Sequence, residues 1–223
     1  LVSQDDRAPE RWREVLQRIK DARAEGYDIT AQIAARPITL LLGLQSSMHP
    51  FITCPTYRNE LAQLDLDARV SRMREPEIRE TLIKEHASRT RGMSGMIAQS
   101  FHKMFPLGDP PEYEPMPEDS ISEMAKTAQR EPVELAYDML LEREGRELML
   151  FPLANFSEGN HDVLREMNLA EGTLPGLSDG GAHCGVICDA SFPTYMLTHW
   201  ARDRRRGEKL PLEYVVQRQT RDT

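Results

Sequence analysis

The chain has 223 residues, 39% of them hydrophobic, and a formal net charge of −8; its mean hydropathy is −0.55. That length supports a real core and that composition belongs to a soluble globular chain rather than a disordered one. The acidic balance argues against nucleic acid, which needs a basic face for its phosphates, and the longest apolar run, 38–44, is far short of the roughly 20 residues of a membrane span.

Residues 8–25 have the pattern of a helix. Trp12, Val15, Leu16, Ile19 and Ala22 recur at helical spacing and make one buried stripe. Asp6 is placed to cap it, Pro9 suits its first turn, and Gly26 is a natural stop. Tyr27, Ile29, Ala31 and Ile33 then alternate with other residues, which predicts a strand over 29–35. Helix, glycine, strand is the rhythm of an α/β unit. The apolar stretch 37–47, opened by Pro37, suggests a short buried helix, and 48–57, with two prolines, a loop.

Residues 66–88 are charged and helical, interrupted at Pro76. From 89 to 117 prolines and glycine punctuate a long irregular segment, of a length that is usually functional or mobile. Helices follow over 119–129 and 132–144, a buried strand over 148–153, a helix over 159–168 and a strand over 173–177. The chain closes with helices over 191–206 and 211–221, the second entered through Pro211. There is no internal repeat. A complete (β/α)8 barrel needs eight strands, and this pattern offers three.

The densest chemical signal is Gly176-Leu-Ser-Asp179-Gly180-Gly181-Ala-His183-Cys-Gly185. A strand ends on a carboxylate, and a glycine-rich loop carries an imidazole next. Sites form at strand ends in parallel sheets, and an Asp there can bind a divalent metal or take a proton from water. The alternative is a turn in which Asp179 binds backbone amides. Cys184 and Cys188 with His183 suggest a metal cluster, but the second ligand pair of a zinc site is missing. The three cysteines, odd in number and without a CxxC pair, fit a reducing compartment. The basic run Arg202, Arg204, Arg205 and Arg206 suits either a solvated helix C-terminus or an anion site.

The string GLSDGGAHCGVICDASFPTYMLTHW (176–200) resembles the last barrel strand and its loop in metal-dependent amidohydrolases of the N-acyl-D-amino-acid deacylase family. Ala35-Arg36-Pro37 with LLLGLQSSMHPF, Pro55-Thr-Tyr-Arg58, Lys103-Met-Phe-Pro-Leu-Gly-Asp-Pro and Gln219-Thr-Arg-Asp-Thr223 are similar to members of the same family, so the likeness spans almost the whole chain. It implies an α/β fold, a TIM-like barrel with zinc or a related divalent metal at its C-terminal face. The implied substrate is a small N-acyl amino acid or amide, with neither nucleic acid nor membrane as partner. On that basis Asp179 is the metal ligand and general base, with Arg36, Gly180, Gly181 and His183 as substrate contacts. Arg36 follows a strand end and its guanidinium suits a carboxylate.

The pattern also departs from the family. The HxH pair of the first barrel strand is missing, and no two of the six histidines lie within four residues. The expectation is therefore a fragment: the last two or three strands of a barrel over 1–223, with a helical insertion at about 37–145 and the missing barrel half elsewhere in a longer, cytoplasmic chain. The first residue, Leu1, is not an initiator Met, which agrees with that expectation. Alternatives are a non-catalytic helical interaction module, or a cyclic-amidase or dihydroorotase-like enzyme that shares the Asp. His49 and Tyr57 either line a pocket or pack, and His86, His102, His161 and His199 are expected to be structural.

Overall fold

The computed structural model describes residues 1–88, 92–178, 180–181, 184–187 and 189–223. Helix α1 (Arg11–Ala24) buries Trp12 and Ile19, with Val15, Leu16 and Ala22 half-buried beside them, so the expected stripe is real. Its N-cap is Glu10, whose side chain makes no capping bond; Asp6 lies too far upstream to cap it. The helix stops at Gly26, whose φ of +93° an L side chain resists. Strand β1 (Ala31–Ala34) starts later than the alternation suggests, because Tyr27 and Ile29 are exposed.

The stretch expected as a short helix is instead strand β2 (Ile38–Leu42). Its burial was legible, its backbone was not: a brief apolar run fits a strand or a helix, and here a strand-type partner decides, since Leu41 N–H donates to Val186 O at 2.8 Å. A π-turn (Tyr57–Leu61) leads to α2 (Leu66–Met73), capped by Asp65 through Ala68 N–H, and α3 (Pro76–His86) begins at the expected break. The segment expected to be irregular contains α4 (Gly92–Gln99), a 3-10 turn (Phe101–Lys103) and β3 (Phe105–Pro106). The glycines of α4, unfavourable in helices, hid it.

Helices α5 (Ile121–Ala128), capped by Ser120, and α6 (Pro132–Leu140) follow, then the short turn α7 (Glu142–Gly145) with Arg143 and Glu144 in left-handed conformation. Strand β4 (Met149–Ala154), α8 (Asp162–Leu169) and β5 (Thr173–Gly176) match the expected order. The last predicted helices are α9 (Phe192–Tyr195), which runs into a π-helix (Met196–Asp203), and α10 (Leu212–Arg218). The chain is thus mixed α/β, and no described helix is long and apolar enough to cross a membrane.

The chain divides into two compact units. The first comprises Leu1–Thr39, Pro152–Cys184 and Cys188–Thr223. At its centre β1 and β5 pair in parallel, Ala31 opposite Thr173 through Ala34 opposite Gly176, and Val2 adds a parallel bridge to Ile33. Helix α8 packs on both strands, and Ile33, Ala34, Val163, Leu164, Met167, Phe192 and Trp200 are buried. Each such large apolar side chain contributes about 1.5–3 kcal/mol on burial. Polar bonds tie distant segments together: Gln4 N–H donates to Asn155 Oδ1 at 2.6 Å, and Trp200 Nε1–H to Ala35 O at 2.6 Å.

The second unit comprises Leu40–Phe151 with Gly185–Ile187. It holds the sheet β2–β4–β3, in which β3 runs antiparallel to β4 with Phe105 opposite Leu150. Helices α5 and α6 pack together, as do α2 and α3. Leu42, Leu61, Met73, Leu82 and Tyr137 are fully enclosed. Phe51 meets the Tyr137 ring edge-on at 5.1 Å, and the Tyr137 hydroxyl donates to Met73 O at 2.7 Å.

Candidate functional site

In the first unit the C-terminal ends of β1 and β5 meet a small cleft of about 220 Å³, lined among others by Ala35, Gly176, Ser178, Phe192 and Met196. Ala35 follows β1 directly, and Gly176 ends β5. Strand ends of parallel pairs are where α/β folds place ligands, because the loops there vary while the sheet holds them fixed. Leu177, next in the chain, has φ +61°. A bulky side chain rarely adopts that conformation, and such strain persists where surroundings impose it.

Asp179 and His183, the residues on which the motif turns, lie outside the described residues, as do Ala182 and Cys188. Gly180 and Gly181 are exposed. Gly181 has φ +95°, and a Cβ there would meet nothing within 4 Å. Its glycine answers a backbone requirement rather than close packing. Cys184 is exposed and Cys54 buried, and neither is in a disulfide.

Arg36 is fully buried and is not among the residues lining the cleft. One of its Nη atoms donates to Ser191 Oγ at 3.2 Å, and its guanidinium lies 4.9 Å from the Phe192 ring centre and 5.7 Å from that of Tyr195. Planar, weakly hydrated guanidinium tolerates such aromatic burial far better than an ammonium would. Through Phe192 it adjoins the cleft wall.

Behind these residues sits an aromatic cluster that spacing did not reveal. His161, fully buried, lies 5.3 Å from His199, whose ring stacks on Tyr195 at 4.5 Å and 11°. Phe156 and Trp200 close it, at 5.8 Å and 6.0 Å from His161. His199 and Trp200 belong to the π-helix, and π-helical turns are rare and concentrate at functional sites. Two imidazoles offer two metal donors, but among the described residues of this unit no third His, Cys, Asp or Glu joins them. A closed zinc site takes four ligands. Asp189, at the start of the following 3-10 turn (Asp189–Ser191), is also buried.

The basic run is not uniformly solvated. Arg202 forms a two-point pair with Asp203 at the surface, but the Arg204 side chain is fully enclosed. It donates to Asp162 Oδ1 at 2.7 Å and to Glu208 O at 2.8 Å, and lies 4.8 Å from the Trp200 ring centre. Its role is to join segments, which a count of consecutive arginines does not disclose.

In the second unit His49 is buried, with Nδ1 accepting from Phe51 N–H at 3.3 Å and its ring edge-on to Tyr57 at 4.4 Å. Burial first, and then the nearby Arg69 charge, push its pKa down to about 3. Tyr57 lines a separate cleft of this unit. His86 is buried by Phe51 and Phe101, as expected of a structural histidine.

A scan against protein-family models and searches of curated proteins and of solved structures return no match to this chain.

Proposed function

We propose that this chain is part of a metal-dependent amidohydrolase that cleaves the C–N amide bond of an N-acyl (D-)amino acid or related amide. In this reading β1 and β5 belong to the end of a TIM-like barrel, and the site lies at their C-terminal edge. The observation that carries it is the parallel β1–β5 pair, whose C-terminal ends border a small cleft lined in part by Gly176 and Ser178, from the opening of the motif. The sequence resemblance supports the chemistry.

Asp179 then accepts a proton from the attacking water and returns it to the leaving amine. Gly180 and Gly181 let the backbone pass close to the substrate, with His183 as an accessory contact. Arg36 supports the aromatic wall at Phe192. Zinc or a similar divalent ion is the implied cofactor, polarising the carbonyl when bound. The sequence has no HxH pair, and the first unit by itself brings two imidazoles together, His161 and His199. The remaining ligands are assigned to sequence beyond these 223 residues. The cytoplasm as location belongs to the same reading, resting on three cysteines without a CxxC pair.

The test is kcat on N-acetyl-D-amino acids in the complete enzyme with Asp179→Asn. A loss of roughly 10²- to 10⁴-fold is expected, with an unchanged circular dichroism spectrum. A folded variant with near wild-type kcat would reduce Asp179 to a turn residue. The missing HxH pair favours the second reading, a non-catalytic interaction module, and a complete protein lacking both that pair and amidase activity would establish it.

A further inference from the structure

The second unit carries an open cleft of about 770 Å³, with Gln45, Ile52, Tyr57, Arg58 and Arg69 in its lining. Its charge is unbalanced. Arg58 is exposed and forms no ion pair among the described residues. Arg69 is held by backbone carbonyls, Leu44 O at 2.7 Å, Leu64 O at 2.8 Å, Leu61 O at 3.2 Å and Ala62 O at 3.3 Å, and by the Tyr57 side chain. Carbonyl dipoles hold the fork in place but leave its formal charge uncancelled.

The acidic groups around the cleft are committed elsewhere. Asp65, its one lining carboxylate, caps α2 through Ala68 N–H at 2.8 Å. Glu60, on the same π-turn as Arg58, faces Arg72 at 3.7 Å, and Glu85 accepts from Thr56. The field of Arg69 is felt by its neighbours: it adds to the lowering that burial imposes on the His49 pKa, and it partly offsets the rise that burial imposes on the Tyr57 phenol. Beside these donors the lining includes apolar Leu44, Ile52, Leu64 and Leu66.

We propose that this cleft binds a small organic anion, a carboxylate or phosphate monoester with an apolar body, its anionic end held by Arg58 within the positive field of Arg69 and its body by the leucines and Ile52. The site matches such a ligand, since exposed Arg58 offers paired N–H donors to adjacent anionic oxygens while Arg69, its N–H groups engaged, adds a fixed positive charge beside the apolar wall. The inference concerns residues 44–69 alone and does not depend on the amidohydrolase reading.

Calorimetric titration of the 223-residue chain with hexanoate, hexyl phosphate and hexanol tests it, with amide NMR shifts locating the response. Saturable binding of at least one anion is expected, with shifts confined near 44–46 and 57–69, and the tighter anion identifies the ligand class. Arg58 is at the surface, so Arg58→Gln leaves the fold intact and weakens that binding at least roughly tenfold. Arg69 clamps four carbonyls, so Arg69→Lys, which keeps the charge and loses the fork, is the gentler second variant. Hexanol binding as tightly as the anions, equal affinity in Arg58→Gln, or no saturation by either anion up to about 10 mM would each overturn the proposal.

Discussion

The two tryptophans of the first unit offer a controlled measurement of one buried hydrogen bond. Both are almost wholly enclosed, Trp12 at 1% and Trp200 at 0% exposure. Trp200 Nε1–H donates to Ala35 O at 2.6 Å, whereas Trp12 Nε1–H meets no acceptor among the described residues. Each also has an arginine near its ring, at 4.1 Å for Arg13 on Trp12 and 4.8 Å for Arg204 on Trp200. Replacing either by Phe leaves a similar void, costing about 1 kcal/mol. In Trp200→Phe the buried Ala35 carbonyl also loses its donor, a further penalty of about 1–3 kcal/mol. Trp12→Phe removes an unmet donor and carries no such penalty. Urea unfolding followed by circular dichroism should therefore show Trp200→Phe less stable than Trp12→Phe by about 1–3 kcal/mol. In each variant the surviving tryptophan reports the same unit by fluorescence. Losses equal to within about 0.5 kcal/mol would refute the assignment of that energy to the Ala35 bond.

Arg204→Ala should destabilise by about 1–3 kcal/mol in thermal unfolding, since the Glu208 carbonyl and Asp162 lose an enclosed fork, and Arg204→Lys should rescue little of it; full rescue by Lys would show that charge alone matters. His49 titrates near 6.5 when unfolded and at about 3 when folded. Between those values the unfolded chain takes up a proton that the folded chain refuses, so stability falls as pH drops, by up to about 1.4 kcal/mol per pH unit, and is fully retained above 6.5. In His49→Asn, whose oxygen can replace Nδ1 as acceptor from Phe51 N–H, that contribution disappears; an identical wild-type and variant slope from about pH 6 to 4 would contradict it. Leu177→Val should lower stability by about 1 kcal/mol, because a β-branched residue suits φ +61° still less, while Leu177→Gly should cost less than Val. Equal values for the two would remove strain from the account of that loop.

Sequence periodicity was a good guide where an element is long or carries its own boundaries. The stripe of α1, the break at Pro76 and the strands before Arg36, at Met149 and at Thr173 all follow from spacing and turn residues. It failed where partners distant in the chain decide. β2 is a strand because chain near Val186 lies alongside it, and α4 forms despite Gly92 and Gly95. The same limit applies to side chains. Nothing local distinguishes Arg204 from Arg205, yet one is enclosed and the other exposed. His161 and His199 sit on separate elements and become neighbours only through folding. Of the expected site, Arg36, Gly180 and Gly181 can be located, while Asp179 and His183 lie outside the described residues.

The discontinuity of the first unit bears on the order in which the chain matures during synthesis. Trp200 closes on Ala35 across 165 residues, so α1 and β1 leave the ribosome long before β5 and the π-helix exist. The second unit, nearly all of it one uninterrupted stretch, lacks only Gly185–Ile187 once Phe151 has emerged. Domains ordinarily settle from the N-terminus onward during translation; here the middle of the chain is ready before its beginning. The closure costs little at equilibrium, because loop entropy grows only logarithmically with length, but it slows the search. Nascent chains arrested before Thr173 should accordingly protect most of 43–151 from protease while 1–39 is still cut.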